Sequence, residues 1–454
     1  MEETQLSIRS AFAIAVGRTT RWGLHTFLKG GSSYPGQLTQ KLDPTVLGTL
    51  SRNYDVVIVT GTNGKTLTTA LTYQVLKQKY PEIITNPTGA NMLQGIISTF
   101  LEHHSYTKNS EKKAAVLEVD EASLIHVTKY IKPKAIIFTN VFRDQMDRYG
   151  EIYTTYQMML NGAALAPNAL IVSNGDAPIF NSKKTVNKRV YFGFDHLPDG
   201  ELKAHYNTDG VLCPNCNNIL HYKFLTYSNL GKYYCPNCDF KRPDLTYRLT
   251  GLTHMDHESS RFEIEGEEFE IKIGGQYNIY NALAAYSVGR ILDVSTDQIR
   301  AGFAASKRVF GRQEVIQIDD KEVTINLVKN PVGLNQVLEM IKLDPEPISL
   351  VSILNANYAD GTDVSWIWDA DYEQVAEMGL KQVTVGGERV EDITARLEVA
   401  GIPEEELQVI PSIPEIINSF KHAPTKKVYV LATYTAVLQL RKELANQGYI
   451  EGGM

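Results

Sequence analysis

The stretch "DVVIVTGTNGKTLTT", residues 55–69, decides how the rest of this chain is read. Six residues, Asp55–Thr60, form an apolar run of strand type, a glycine-containing turn follows, and helix-forming residues resume at Lys65. A strand that runs through such a turn into a helix aims backbone N–H groups and the positive helix end at one point, where phosphate binds. Lys65 would bridge the terminal phosphates of a nucleotide and the Thr66 hydroxyl would ligate Mg²⁺. The match to G-x-x-x-x-G-K-[ST] is imperfect, since Val59 stands where the first glycine belongs.

Outward from this turn the same grammar repeats. "AAVLEVD" (114–120), "KAIIFTN" (134–140) and "NALIVSN" (168–174) are further buried-strand candidates separated by helical segments. Strands alternating with helices imply a parallel sheet covered on both faces. "FEIEGEEFEIKIGG" (262–275) reads as a hairpin and "NIYNALAAYSVGRIL" (278–292) as a helix. A second α/β pattern follows "VFGRQEV" (309–315), with "EVTINLV", "ISLVSILN", "KQVTVGG" and "KVYVLAT" as its strands. The expected organisation is a helical segment over 1–50, an α/β nucleotide-binding domain over 51–311, and a Rossmann-like α/β domain over 312–454. The first segment carries Arg9, Arg18, Arg21 and Lys29 among apolar residues, and reads as a helix docked on the body. Such a helix also suits an anionic membrane surface.

At 454 residues the chain is too long for one core. Its formal net charge of −7 argues against a dedicated nucleic-acid binder. No apolar run approaches the ~20 residues that span a bilayer, and Met1-Glu2-Glu3 opens no secretory leader. The expectation is a cytoplasmic protein.

All four cysteines lie between 213 and 238. Cys213-x2-Cys216, eighteen residues, then Cys235-x2-Cys238 is the spacing of a zinc ribbon, inserted at about 205–245. Four thiolates close the coordination sphere, so the metal is expected to be structural. No cysteine is left for nucleophilic chemistry.

The shortened loop Thr60-Gly61-Thr62-Asn63-Gly64-Lys65-Thr66 resembles the ATP loop of the Mur ligases and folylpolyglutamate synthetases. Further matches come in the order that superfamily uses. "EVDEAS" (118–123) puts Glu118 and Glu121 where the family holds Mg²⁺, and "TNVFRDQMDRYG" (139–150) resembles its Thr-Asn segment. "SNGDAP" (173–178) resembles its Asn-x-Asp-Asp-Pro turn. "GGQYNIYNALAA" (274–285), with Asn278 and Asn281, resembles its asparagine helix, and "FGRQE" (310–314) places Arg312 near adenine and ribose. The resemblance implies an ATP-dependent ligase in which a carboxylate becomes an acyl phosphate and an amine displaces phosphate. Two departures stand out. Gln145 replaces the usual His, and in "NLVKNPVG" (326–333) Asn326 and Lys329 replace the Asp and His of amino-acid-adding Mur ligases, so the nucleophile need not be an amino acid.

The loop "DGTDVSWIWDADYE" (360–373), with "NLVKNP", "FRDQMDRYGE" and the ribbon, is similar to the Mur ligase-like subunits of lipid II isoglutaminyl synthases. That resemblance implies amidation of the α-carboxylate of D-isoglutamate in lipid II, at the inner face of the membrane. Ammonia then comes from glutamine hydrolysed by a separate class I glutaminase subunit, GatD. It also implies that an Asp of this loop orients the partner's His, and Asp363 is the candidate, with Asp360 its competitor. Asp369 and Asp371 are assigned to partner contact or helix capping. The alternatives are a stand-alone amino-acid ligase and, in another class, a zinc-ribbon nucleic-acid-binding ATPase.

Overall fold

The computed structural model describes residues 7–27, 33–87, 89–104, 112–144, 151–195, 202–203, 211–306 and 311–451. The run Tyr54–Thr60 forms the strand from which the first body is organised. Its Val56–Val59 are wholly buried, as a parallel strand covered on both faces demands. Lys113–Glu118 pairs parallel on one side and Ala135–Phe138 on the other. Ile83–Thr85 extends the first flank, and Leu170–Asn174, Arg189–Phe194 and Tyr247–Met255 extend the second, all parallel. The hairpin Ser260–Ile264 and Glu267–Ile271 then closes this edge antiparallel, giving nine strands. The strands expected at 55–60, 114–120, 134–140 and 168–174 are therefore neighbours in one parallel sheet.

A second sheet holds six strands. Lys321–Leu327, Lys427–Ala432, Ile348–Ile353, Val383–Gly386 and Leu407–Val409 run parallel, and Glu314–Ile318 adds an antiparallel edge. Its two faces bury separate apolar clusters, one around Leu334, Leu338 and Ile367 and the other around Ile416, Val437 and Leu440. Such order, with helices on both faces, is the doubly wound α/β pattern.

The amino-terminal segment contains the expected helix and two more. It folds as three helices, Ile8–Phe27, Tyr34–Leu42 and Val46–Leu50. Pro35 opens the second, and Asp43 ends it by accepting hydrogen bonds from Ser10 Oγ (2.7 Å) and Thr45 N (2.9 Å). Among the described residues no helix is long and apolar enough to cross a membrane.

Candidate active site

The turn after Tyr54–Thr60 is fixed by its glycines. Gly61 and Gly64 sit at φ of +129° and +81°, a region that L side chains rarely enter. A Cβ at Gly64 would come within 2.3 Å of Asn281 Oδ1, so the loop lies directly on the helix Gln276–Ile291. Asn281 also accepts from Thr68 Oγ1 (3.1 Å) and donates to Asn278 Oδ1 (3.2 Å). On the other side Asn63 N donates to Asn140 Oδ1 (2.8 Å), and Thr139 Oγ1 donates to the Asn63 carbonyl (2.9 Å). The Thr-Asn pair of residues 139 and 140 is thus what holds the loop's shape.

Lys65 begins the helix Lys65–Lys77. Its ammonium donates to the Gly61 carbonyl (2.6 Å) and to Glu121 Oε1 (3.2 Å). Burial works against its charge, yet Glu121, Glu118, Asp120 and Asp144 together outweigh that and raise its pKa. The lysine therefore stays protonated.

Two cavities meet at this loop. One, open to solvent, is lined by Thr62, Lys65, Thr66, Glu118, Asp120, Glu121, Asp144 and Lys329. Tyr358 and Ala359 of a loop of the second body, and Tyr434 at the start of the helix Tyr434–Asn446, complete its lining. The other, smaller, is lined by Asn63, Asn140, Tyr227, Tyr277, Asn278, Asn281 and the segment Asn326–Asn330. Gly64, Arg312, Leu327 and Lys329 are shared by both. Thr60 and Gly61, at the start of the loop, line neither cavity, and Gln145 falls outside the described residues.

Each cavity contains a buried polar atom without an internal partner, Asp144 Oδ1 in the first and Asn326 Nδ2 in the second. Such atoms normally find a partner in the protein or in ordered water. Asp144 Oδ2 is paired with Lys329, and Asn63 and Asn330 exchange amide hydrogen bonds at 3.1 and 2.9 Å. These contacts join the two sheets' loops across the site. Asp144, Lys329 and Asn330 lay within quoted motifs, but nothing local in the sequence paired them.

In the ribbon, the strands His221–Leu225 and Gly231–Tyr234 form a hairpin, and the four cysteine sulfurs lie within 4.8 Å of one another. A tetrahedral zinc with Zn–S of ~2.3 Å needs sulfurs separated by roughly 4 Å. The donor set therefore fits a structural zinc.

The loop at 360–373 divides its carboxylates by role. Asp360 is buried, and accepts from Asn357 N (3.0 Å), Thr435 N (2.7 Å) and Thr435 Oγ1 (2.5 Å). Asp363 is exposed and accepts from Ser365 N (2.8 Å), a bond that holds its carboxyl below the usual range. Asp371 accepts from Gln374 Nε2 (2.7 Å) at the start of the helix Glu373–Glu377, and Asp369 faces Arg143 across the two bodies (3.3 Å). Asp363 and the cysteines line neither cavity.

Residues 59–237 match the Mur ligase middle domain and residues 327–437 match the MurT ligase C-terminal model. Among solved structures, a pseudomurein peptide ligase type C from Methanothermus fervidus superposes with a TM-score of 0.63 at 21% identity, over 90% of this chain and 83% of that one. MurF ligase from Thermotoga maritima, in complex with ADP, gives 0.60 at 18% identity, over 91% and 85%. The fold is that of a Mur-type ligase. The subunit MurT of lipid II isoglutaminyl synthase (glutamine-hydrolyzing) from Streptococcus pneumoniae (strain ATCC BAA-255 / R6) is 47% identical over 449 residues, 99% of this chain and 100% of that protein. Its counterpart from Staphylococcus aureus (strain N315) is 35% identical over 98% of this chain and 100% of that protein. The chain belongs to the MurT family.

Proposed function

We propose that this chain is the ATP-consuming subunit of a glutamine-dependent amide synthase. It would convert the α-carboxylate of D-isoglutamate in lipid II to the amide of D-isoglutamine, at the inner face of the membrane. One observation carries the reading. A phosphate loop and charged cleft sit at the joint of two α/β bodies, while all four cysteines are held in the ribbon. Glutamine hydrolysis by a class I enzyme needs an activated thiolate, so that half of the chemistry falls to another chain, a GatD-type glutaminase.

In the cleft, the substrate carboxylate oxygen attacks the γ-phosphorus of ATP, and the bond to the ADP oxygen breaks. Ammonia then adds to the acyl carbon through its lone pair, phosphate leaves with the C–O electron pair, and the nitrogen sheds a proton. Lys65 supports the first step by neutralising the transferred phosphoryl group. Lys329, facing Asp144, contributes positive charge from the second body. Asn278, Asn281 and Arg312 are assigned to the nucleoside end. The Thr66 hydroxyl and the Glu118 and Glu121 carboxylates are hard oxygen donors of the kind Mg²⁺ takes, and an ion there would neutralise phosphate charge. Cys213, Cys216, Cys235 and Cys238 are assigned to a structural zinc. Asp363 is assigned to the partner's triad. Its exposure supports this, as does the engagement of its competitor Asp360 inside the fold.

The deciding experiment assays ATP hydrolysis and lipid II amidation by the chain, alone and with a class I glutaminase, on glutamine or ammonium. The chain alone should use ammonium, and should use glutamine only with the partner. Amino-acid-dependent ATP hydrolysis without amidation of lipid II would overturn the proposal in favour of a stand-alone ligase.

A further inference from the structure

The turn Thr226–Leu230 joins the two ribbon strands but packs against the nucleotide-binding body. Tyr227 is buried there, and its ring lines the smaller cavity with Asn63, Asn140 and Asn281. Behind it the ring meets Tyr280 edge-on, with centroids 5.8 Å apart, and Phe142 at 6.2 Å. The mount is tied to the body by hydrogen bonds. Thr226 Oγ1 and the Tyr280 hydroxyl are 2.9 Å apart, and that hydroxyl donates to Asp176 Oδ2 (2.7 Å). Asp176 Oδ1 receives the ribbon's Arg242 (2.8 Å), while Gly231 N of the second ribbon strand donates to the Asp176 carbonyl (3.0 Å). One buried residue thus anchors the ribbon and also fixes the ring that backs Tyr227.

The cavity's amide walls suit the polar edge of a base and a ribose. Tyr227 and Tyr277 are the aromatic side chains in its lining. An aromatic ring held rigidly beside amide donors is how proteins hold a nucleobase face. We infer that the ribbon turn is a wall of the nucleotide site, with Tyr227 packing against the base of ATP. The metal-bearing insertion then contributes directly to nucleotide affinity, in addition to bracing the fold. This rests on reading the cavity as the nucleoside end of the ATP site.

The test compares equilibrium binding of MgATP and of magnesium tripolyphosphate to the full chain and to Tyr227→Ala, Tyr227→Leu and Tyr227→Phe. Tyr227→Leu keeps apolar bulk against Tyr280 and Phe142, which protects the fold, but removes the aromatic face. Loss of one base-stacking contact should weaken ATP about tenfold in the Ala and Leu variants. Tyr227→Phe should stay within about twofold of the parent. Tripolyphosphate, which has no base, should bind all four proteins equally. Unchanged ATP affinity in the Ala and Leu variants would overturn the inference, and so would parallel loss of both ligands. A parent chain that binds tripolyphosphate no more weakly than ATP would instead refute the nucleoside reading of the cavity.

Discussion

Asp360 and Asp363 lie three residues apart in one loop and do different work. Asp360 has its oxygens taken up by Asn357 and Thr435, so it locks the loop to the start of the helix Tyr434–Asn446. Asp363 accepts from Ser365 N and faces solvent. Asp363→Asn should lower glutamine-dependent amidation by about four orders of magnitude, as misorienting a catalytic imidazole does. Amidation from added ammonium should be unchanged, and both are read by amide formation on lipid II in the assembled complex. Equal loss in the two assays would place Asp363 in the ligase site. The sequence displayed both carboxylates but not their difference, because the partner that buries Asp360 is Thr435, 75 residues away.

At the scale of elements, the helix Pro331–Ile341 shows a cap doing two jobs. Asn330 accepts from Gly333 N at 2.8 Å and also exchanges hydrogen bonds with Asn63 of the phosphate loop. Asn330→Ala should cost about 1 kcal/mol through the cap alone. It should also weaken ATP binding, which separates it from a simple capping defect, and calorimetric unfolding with nucleotide titration reads both. The strands were legible because parallel strands buried on both faces must be near-continuous apolar runs, as Val56–Val59 and Ala114–Leu117 are. The strand–turn–helix through Gly61, Gly64 and Lys65 was legible because those residues are contiguous. The Asn63–Asn330 pair was not, since 267 residues separate its members. Tyr227 was hidden for a similar reason. In a tyrosine-rich insertion nothing marks the one ring that leaves the ribbon for another body's cavity.

For the molecule as a whole, the two α/β bodies are joined by the Asn63–Asn330 and Asp144–Lys329 contacts and again at Asp344. Asp344 follows the helix Pro331–Ile341, and its side chain is covered by Lys427 (2.9 Å), the Tyr429 hydroxyl (2.7 Å) and His257 of the first body (3.4 Å). Burial acts to raise its pKa, but bonds from Tyr429, Glu346 N and Lys427 outweigh it and hold the group below its ordinary 3.8. A depressed carboxylate stabilises the fold above its unfolded pKa and ceases to do so as pH falls through the folded value. Its contribution should therefore be complete above about pH 5 and fade below about pH 4. Asp344→Asn should destabilise the protein by about 3 kcal/mol at neutral pH, and the gap to the parent should shrink in acid melts. MgATP at a hundred times its Kd should add about 2.7 kcal/mol to the parent. That gain should vanish in Lys65→Ala, as thermal shift will show.

The exposed position of Asp363 carries a consequence for nitrogen economy. On the assignment argued above, a glutaminase by itself lacks the carboxylate that orients its base, and acquires it only on docking to this loop. Free enzyme would then leave the glutamine pool intact, and ammonia would be released only beside a subunit able to fix it. Control of that kind needs no effector molecule, since the act of assembly is itself the switch.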